Sequence, residues 1–460
     1  ITLSQITQLA ILARFLTPET FGLMAILMII IGFSQLFMDL GLNNAIIHKQ
    51  EVTKEQLSSL YWLNLASGIF LTFLILITAP VISSFFSDPQ LLKPLKLISC
   101  VFLIFAVGNQ FKILFQKEFR FKLIALVDIF AAILSLIMAI STAILGYGIY
   151  SLIFAVITQS IVSSFAYFIL GIQNFYRPTF TFNHVEIKGL YSFGIYQMGE
   201  KSINFLSANI DKILISKFLG MQAVGFYNMA WQLIIFPISR INPVVSKVAF
   251  PLYAKLQYDN EATNSYYQLL VRGLSLITIP FLAFLCFFSK DVVFVIFGEG
   301  WDMTANLLPL LALVGIFKAL GNPGGSVLLA KGYANIGFWW NIFWTVIVIV
   351  SIFLALNFKQ DVMIVPITLA IITIVFGWIW HYIIAIVGQI KYGSILLHFI
   401  KIIFINFLII GICSFVSESI EFQSTLIEIF FKITICLLLY LPYLYYFEKD
   451  TLTRIMREVD

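Results

Sequence analysis

Charge is scarce in this chain: Asp, Glu, Lys and Arg together supply 11% of its 460 residues, against about a quarter in soluble domains. Cysteine and histidine occur four times each. Cys100, Cys286, Cys413 and Cys436 lie inside apolar runs, with neither CxxC nor Cys/His spacing. That excludes a readable disulfide framework or zinc site and leaves them as small buried hydrophobes. His48, His184, His381 and His398 are dispersed, and no metal or nucleophilic constellation can be assembled around them. The pattern argues against an enzyme and calls for no cofactor. The segment GNPGGS at 321–326 lacks the Lys-Ser/Thr pair of a phosphate-binding loop and sits inside a hydrophobic run, so nucleotide binding does not follow. Long polar stretches are missing too: the joints at 174–189 and 253–266 are too short for a folded soluble domain.

What the chain has instead is apolar sequence, with 60% hydrophobic residues and 47 phenylalanines. Runs such as LMAILMIIIGF and IALVDIFAAILSLIMAI are continuously apolar, which suits helices and not the strict alternation of a membrane β-barrel. The expected class is all-α and polytopic, with about 14 transmembrane helices. Spans fall near 1–16, 20–38, 57–80, 95–115, 123–145, 149–171, 190–219, 221–243, 268–289, 304–329, 335–357, 362–388, 396–416 and 425–446. The chain opens at Ile1, not Met, and inside a helical stretch, so the first span is expected to be incomplete. The net charge of +5 speaks for loops on the cytoplasmic side and not for nucleic acid. Lys49 and Lys54, then Lys112, Lys117, Arg120 and Lys122, then Arg177 and Lys188 crowd the even-numbered joints, while the odd joints GEGWD and SESIE are acidic. By the positive-inside rule both termini are cytoplasmic.

Two echoes point to an internal repeat. Arg14 and Gly22 are eight residues apart, as are Lys217 and Gly225, and the same offset of 203 places Ser4 on Ser207 and Gln8 on Asp211. Ile77-Thr78-Ala79-Pro80 recurs as Ile277-Thr278-Ile279-Pro280. Together they suggest two six-helix lobes in parallel orientation followed by two further helices, with an N-lobe at 1–180, a C-lobe at 181–389 and the last pair with a short tail at 390–460.

In the seventh span Glu200, Asn204, Ser207 and Asp211 recur at i, i+4, i+7 and i+11, which puts them on one helical face, flanked by Lys201 and Lys212. An ionised side chain at the bilayer centre costs about 2.5–3.5 kcal/mol even on lenient insertion scales, so this face lines a protein interface or a wet cavity. Lys318 is an isolated cation in the tenth span, followed by a Gly/Pro break at Gly321 to Gly325. Asp39, Asp128 and Lys432 are further charges in the membrane zone; Asp39 is a helix-end residue and the others stand unassigned.

ILARFLTPETFGLMAI, DLGLNNAIIHKQ, FGIYQMGEKSINFLSANIDKILISKFLGMQAVGFYNMAWQL, VAFPLYAKLQ and GNPGGSVLLAKG carry a resemblance through nearly the whole chain. With these segments the sequence resembles polysaccharide-export flippases. They are the Wzx-like branch of the multidrug/oligosaccharidyl-lipid/polysaccharide superfamily, close to its colanic-acid and teichuronic-acid exporters. The resemblance implies a two-lobed bundle in the bacterial cytoplasmic (inner) membrane that flips an undecaprenyl-pyrophosphate-linked oligosaccharide. It also implies a cationic cavity for the pyrophosphate. That role is carried to Arg14, in the matching Ala-Arg-Phe-Leu position, and by the internal repeat to Lys217. The chain reads Lys331-Gly332-Tyr333 where the family usually has Gly-Arg.

The candidate substrate-binding set is Arg14, Lys217, Glu200, Lys201, Asn204, Ser207, Asp211, Lys212 and Lys318. The expected partners are the lipid-linked oligosaccharide and the bilayer, with polysaccharide polymerase and other assembly proteins as further candidates. An ion-coupled exporter of drug-like cations on the same fold is the first alternative, with Glu200 and Asp211 as its proton or substrate sites. A membrane scaffold for a polysaccharide-assembly complex is the second. Cations outnumber acids in the candidate set, and no docking tail is present, which favours the flippase. The orientation has a direct check: a cysteine at Asn183 in intact cells is expected to stay unreactive toward a membrane-impermeant thiol reagent, and labelling there would reverse the assigned topology.

Overall fold

The computed structural model describes residues 2–39, 46, 52–180, 184–451 and 453–454. Side chains at 2–6, 39, 184–198, 200, 240, 241 and 243–248 lie outside the described set, and with them Ser4, Asp39 and Glu200. Every regular element among the described residues is helical. In order they are α1 (Thr2–Ala13), α2 (Pro18–Asp39), α3 (Lys54–Phe86), a 3-10 turn (Pro89–Leu91), α4 (Leu92–Ile98), α5 (Cys100–Lys117), α6 (Phe121–Ile144), α7 (Ile149–Asn174), α8 (His184–Lys255), α9 (Asn260–Phe287), α10 (Ser289–Phe297), α11 (Asp302–Ala330), α12 (Ala334–Phe358), α13 (Ile364–Gly388), α14 (Tyr392–Glu418) and α15 (Thr425–Phe447).

Eleven helices among the described residues are long and apolar enough to cross a bilayer, which makes this a multi-pass membrane protein. Large apolar side chains stand bare on helix flanks, such as Ile77, Phe353, Phe404 and Phe415, a surface that hydrocarbon covers and water does not. Several helix starts are capped by polar side chains. Thr53 and Gln56 form a reciprocal capping box at α3, and the Asp259 carboxylate accepts from the Ala262 N–H at 2.9 Å at α9.

The chain divides into two compact units, Ile1–Gly225 and Phe226–Asp460. In the first, α6 and α5 both pack on α7, α3 packs on α5, and α1 lies on α6. Small residues bring these backbones close: the Asn64 amide donates to the Ala106 carbonyl at 3.1 Å, and a Cβ on Gly108 would stand 2.4 Å from the Ser164 oxygen. In the second, α11 packs between α9 and α13, and α14 lies against α9 and α15.

The two prolines of the repeat lie inside their helices. α3 runs past Pro80 to Phe86, and α9 past Pro280 to Phe287. A helical proline leaves the carbonyl four residues earlier without its N–H, and for Pro280 that is Leu276. The Tyr440 hydroxyl of α15 donates to that oxygen at 2.8 Å. The lost bond is thus replaced by one that docks the last helix. In α11 the Gly321–Gly325 segment is likewise helical and not broken: Trp380 Nε1 donates to the Gly321 carbonyl at 3.2 Å, and Gly324 meets Ile384 so closely that a Cβ would lie 1.9 Å from its Cδ1. These glycines serve close packing on α13. Lys331, just past α11, donates to Asn260 Oδ1 at 2.6 Å, with burial pushing its ammonium below the usual lysine range.

The 72 residues of α8 are two helices joined at Gly220, whose φ of 83° and ψ of 178° are open to glycine and strained for other residues. Just beyond it the backbone crosses α2. A Cβ on Gly22 would lie 1.8 Å from the Met221 oxygen, and a Cβ on Gly225 would lie 1.8 Å from the Pro18 oxygen. The contact is reciprocal, and its four residues share the offset of 203 found in the sequence, 18 with 221 and 22 with 225. Gly22→Ala is expected to lower stability by about 1–3 kcal/mol, because the crossing cannot admit a methyl group. Gly411→Ala, where a Cβ meets nothing within 4 Å, serves as the control and should be neutral or slightly stabilising. A thermal-shift comparison of the purified variants checks the difference.

Candidate functional site

The first stretch of α8, 184–219, carries most of the candidate residues and belongs to the first unit. It is seated by Phe205, whose ring lies 6.3 Å from Phe33 and against Gly32. Along it Lys201 and Asn204 are exposed, Ser207 is half-buried, and Asp211 is 8% exposed. Asp211 Oδ1 accepts from the Lys212 N–H at 2.8 Å, and the Lys212 side chain is half-buried beside it. The polar face therefore grades from open at Lys201 to closed at Asp211. An open Lys201 and Asn204 offer one ammonium and one amide to a polar ligand. Asp211, held near its own helix backbone, offers little free acceptor surface.

Arg14 is exposed just past α1, its N–H bonded to the Ile11 carbonyl at 3.2 Å. Lys217 is exposed at the other end of the first stretch, where its ammonium donates to the Phe85 carbonyl and lies 5.2 Å over the Phe85 ring. That carbonyl is in the last turn of α3, so the cation also satisfies a helix end. Lys318 belongs to the second unit, exposed in the middle of α11 and 5.2 Å over the ring of Trp231.

Two clusters of charge take other duties. Lys112 pairs with Asp128 at 3.0 Å, and the Tyr167 hydroxyl donates to the same carboxylate at 2.8 Å, which ties α5, α6 and α7 together. Lys432, 6% exposed, pairs with Asp291 at 2.7 Å and Glu428 at 2.6 Å and fastens α15 to α10. A lysine with two carboxylates around it is a brace, because removing either sign leaves buried charge uncompensated. The sequence left Asp128 and Lys432 unassigned: Lys112 and Asp291 are 16 and 141 residues away, while Glu428, four residues before Lys432, was readable from helical spacing alone. Trp231 was missed altogether. An aromatic in an apolar run carries no signal until its cation is found in space. No group of three or more His, Cys, Asp and Glu suited to a metal is present among the described residues.

A cation set on an all-helical membrane fold is met by a matching family model, described as polysaccharide biosynthesis protein, over residues 11–306. The chain belongs to that family. It is 34% identical to the teichuronic acid biosynthesis protein TuaB of Bacillus subtilis strain 168 over 342 residues, 74% of this chain and 70% of that one. It is 30% identical to the lipopolysaccharide biosynthesis protein WzxC of Escherichia coli K12 over 356 residues, 75% and 70% of the two chains. Among solved structures it is similar to the lipid II flippase MurJ in an inward closed conformation, with a TM-score of 0.74 at 17% identity across 98% of this chain and 97% of that one. An inward-facing multidrug transporter of the MATE family follows, with a TM-score of 0.63 at 16% identity over 85% and 96%. The fold of this polysaccharide biosynthesis family member is that of these transporters.

Water access along α8 can be measured. Cysteines replacing Lys201 and Asn204 are expected to react with a water-borne thiol reagent, and one replacing the fully buried Ile215 to stay unlabelled. Uniform silence from 201 to 211 would make the first stretch of α8 a dry interface.

Proposed function

We propose that this protein flips an undecaprenyl-pyrophosphate-linked oligosaccharide across a bacterial cytoplasmic membrane by alternating access. The observation that carries the reading is the exposure of Arg14, Lys201 and Lys318 at apolar helices, in a chain that belongs to the polysaccharide biosynthesis family. A pyrophosphate and its sugar hydroxyls lose water on entering hydrocarbon, at a cost on the order of tens of kcal/mol for an unpaired charge. Cations set on a wet path lower that cost. The names of the relatives, a teichuronic acid protein and a lipopolysaccharide protein, agree with a glycan cargo. The chain carries no nucleotide-binding loop, so the drive is an ion gradient, the membrane potential or removal of product.

The finer architecture we infer is fourteen spans: the eleven apolar helices, α1, and the two stretches of α8. The repeats are 1–180 and 181–389, with α14 and α15 added. The compact units divide later, at Gly225, because the first stretch of α8 packs on α2 and α3 through Phe205 and Lys217, and the chain just past Gly220 packs on α2 through Met221 and Gly225. Both termini face the cytoplasm in this reading, and a polysaccharide polymerase and other assembly proteins are the candidate partners. The likeness to the MATE transporter keeps the drug-exporter alternative in view. Against it, the one candidate acid whose side chain is described, Asp211, is buried beside Lys212.

The test is translocation of a fluorescent prenyl-pyrophosphate-linked oligosaccharide in proteoliposomes. Transport by the wild type supports the reading, and transport of organic cations alone ends it. Within that assay, Arg14→Gln with Lys217→Gln is expected to slow flipping about tenfold, as for losing roughly 1.4 kcal/mol of charge stabilisation, with each single change smaller. Undiminished flipping by the double variant at normal abundance would reduce the two cations to anchors.

A further inference from the structure

The turn that ends α5 is built around a strained residue. The Phe119 N–H bonds to the Gln116 carbonyl at 3.0 Å and the Arg120 N–H to the Phe115 carbonyl at 2.9 Å, the paired bonds that close a helix on a left-handed residue. That residue is Phe119, with a φ of 56°, whereas α6 and α11 close in the same way on Gly146 and Gly332. A bulky side chain rarely adopts this backbone region, so the turn holds a phenylalanine where glycine would be unstrained. The ring is not part of the core: it is 79% exposed and stands edge-on, at 6.0 Å, to Phe121, which is 58% exposed. Arg120 fixes the turn, with Nε on Glu118 at 2.8 Å and an N–H of Nη1 donated to Asn174 Oδ1 at 2.8 Å. Two bare rings are thus held outward at the end of two membrane helices.

Beside them Lys122, Leu126, Ile129, Ile133 and Ile137 recur at i, i+4, i+7, i+11 and i+15 and share one face of α6. All five are exposed, while Ala131, Ser135 and Ala139 on the opposite face are buried, with the Ser135 hydroxyl donating to the Ala155 carbonyl of α7 at 2.9 Å. From Leu126 to Ile137 the stripe runs roughly 17 Å, close to half of a hydrocarbon core about 30 Å thick. A cation heads an apolar stripe one leaflet long, which is the layout of a phospholipid, phosphate first and acyl chain after. The charge has the matching sign. The helices α5, α6 and α7 and the turn at 118–120 hold two acids, Glu118 and Asp128, and these pair with Arg120 at 2.8 Å and Lys112 at 3.0 Å. Lys122, and Arg177 three residues past the Asn174 that Arg120 holds, are exposed and make no ion pair among the described residues.

We propose that the α5–α6 turn and the exposed face of α6 bind an acidic glycerophospholipid of the surrounding leaflet. Its phosphate sits on Lys122, with Arg177 as a second cation at the same end, and its acyl chain lies along Leu126 to Ile137. The Phe119 and Phe121 rings lie at the boundary between headgroup and chain, where aromatic side chains are favoured. Lysine supplies a point charge to the phosphate oxygens. An acidic headgroup is selected over a zwitterionic one because two cations without a protein acid attract its net charge, while a choline ammonium gains nothing from them. This lipid is a resident of the first unit and not the cargo, so the site stands apart from the flippase reading.

The experiment titrates the full chain, purified in detergent, with phosphatidylglycerol in one arm and phosphatidylcholine of the same acyl chains in the other, and counts bound lipid by native mass spectrometry. The wild type is expected to bind its first phosphatidylglycerol about tenfold more tightly than its first phosphatidylcholine, as for two cations near an acidic headgroup. Lys122→Gln should weaken the phosphatidylglycerol arm about fivefold and leave the phosphatidylcholine arm unchanged, while Lys122→Arg, which keeps the charge, should bind as the wild type does. Arg177→Gln should act in the same direction with a smaller loss. Phe119→Gly separates the ring from the fold: it relieves the turn, so thermal stability should hold or rise, while phosphatidylglycerol binding falls about threefold. A Phe119→Gly protein that is less stable would make the ring a structural plug and overturn its part in the site. Equal affinity of the wild type for the two lipids, or phosphatidylglycerol binding untouched by Lys122→Gln, would overturn the site itself.

Discussion

In hydrocarbon no water is available to a backbone N–H or carbonyl, and the architecture of this protein depends on meeting that demand from within the chain. Helices meet it along their length, which is why a chain with 60% apolar residues folds into helices alone among its described residues. The informative places are the interruptions. Pro280 frees the Leu276 carbonyl, and the Tyr440 hydroxyl takes it, so that the repair also attaches α15. The Gly321 carbonyl in the Gly-rich turn of α11 takes an additional bond from the indole N–H of Trp380. At the end of α3, Lys217 fills the Phe85 carbonyl. At Leu276 and Phe85 a side chain from another helix completes the backbone, so that secondary structure and helix packing are settled by the same bond.

Charge in the membrane zone follows the same economy with higher stakes. Lys112 with Asp128, and Lys432 with Asp291 and Glu428, are closed sets that brace helices of one unit. Their half-exposed carboxylates make them modest in energy, and their value lies in fixing which helices meet. Lys201 is of another kind, exposed on a face of α8 that it shares with Asn204 and Ser207. An ionised side chain in the membrane zone faces the bundle interior or a water-filled cavity and not lipid.

Glycine marks the places where two backbones must nearly touch. Gly22 and Gly225 each face the carbonyl of the residue four before the other, so α2 and the second stretch of α8 cross with no side chain between them. Gly220 makes the preceding turn through a positive φ. A crossing held by small residues is stabilised by close van der Waals contact that any larger side chain would block.

Composition and hydrophobic run length alone determined that the protein is helical and polytopic, because bilayer thickness sets the length of a span and leaves little else possible. The 3.6-residue period likewise placed Asn204, Ser207 and Asp211 on one face, and the offset of 203 singled out Gly22 and Gly225. Tertiary structure decided everything that requires two distant segments to meet. It found Lys112 for Asp128 and Asp291 for Lys432, carried α3 and α9 through their prolines, kept α11 helical across its glycines, and put Trp231 under Lys318. The reason is that periodicity reports only which residues share a face of one helix. Whether that face meets lipid, water or a partner depends on helices brought to it from anywhere in the chain, and the short-range pattern carries no record of them.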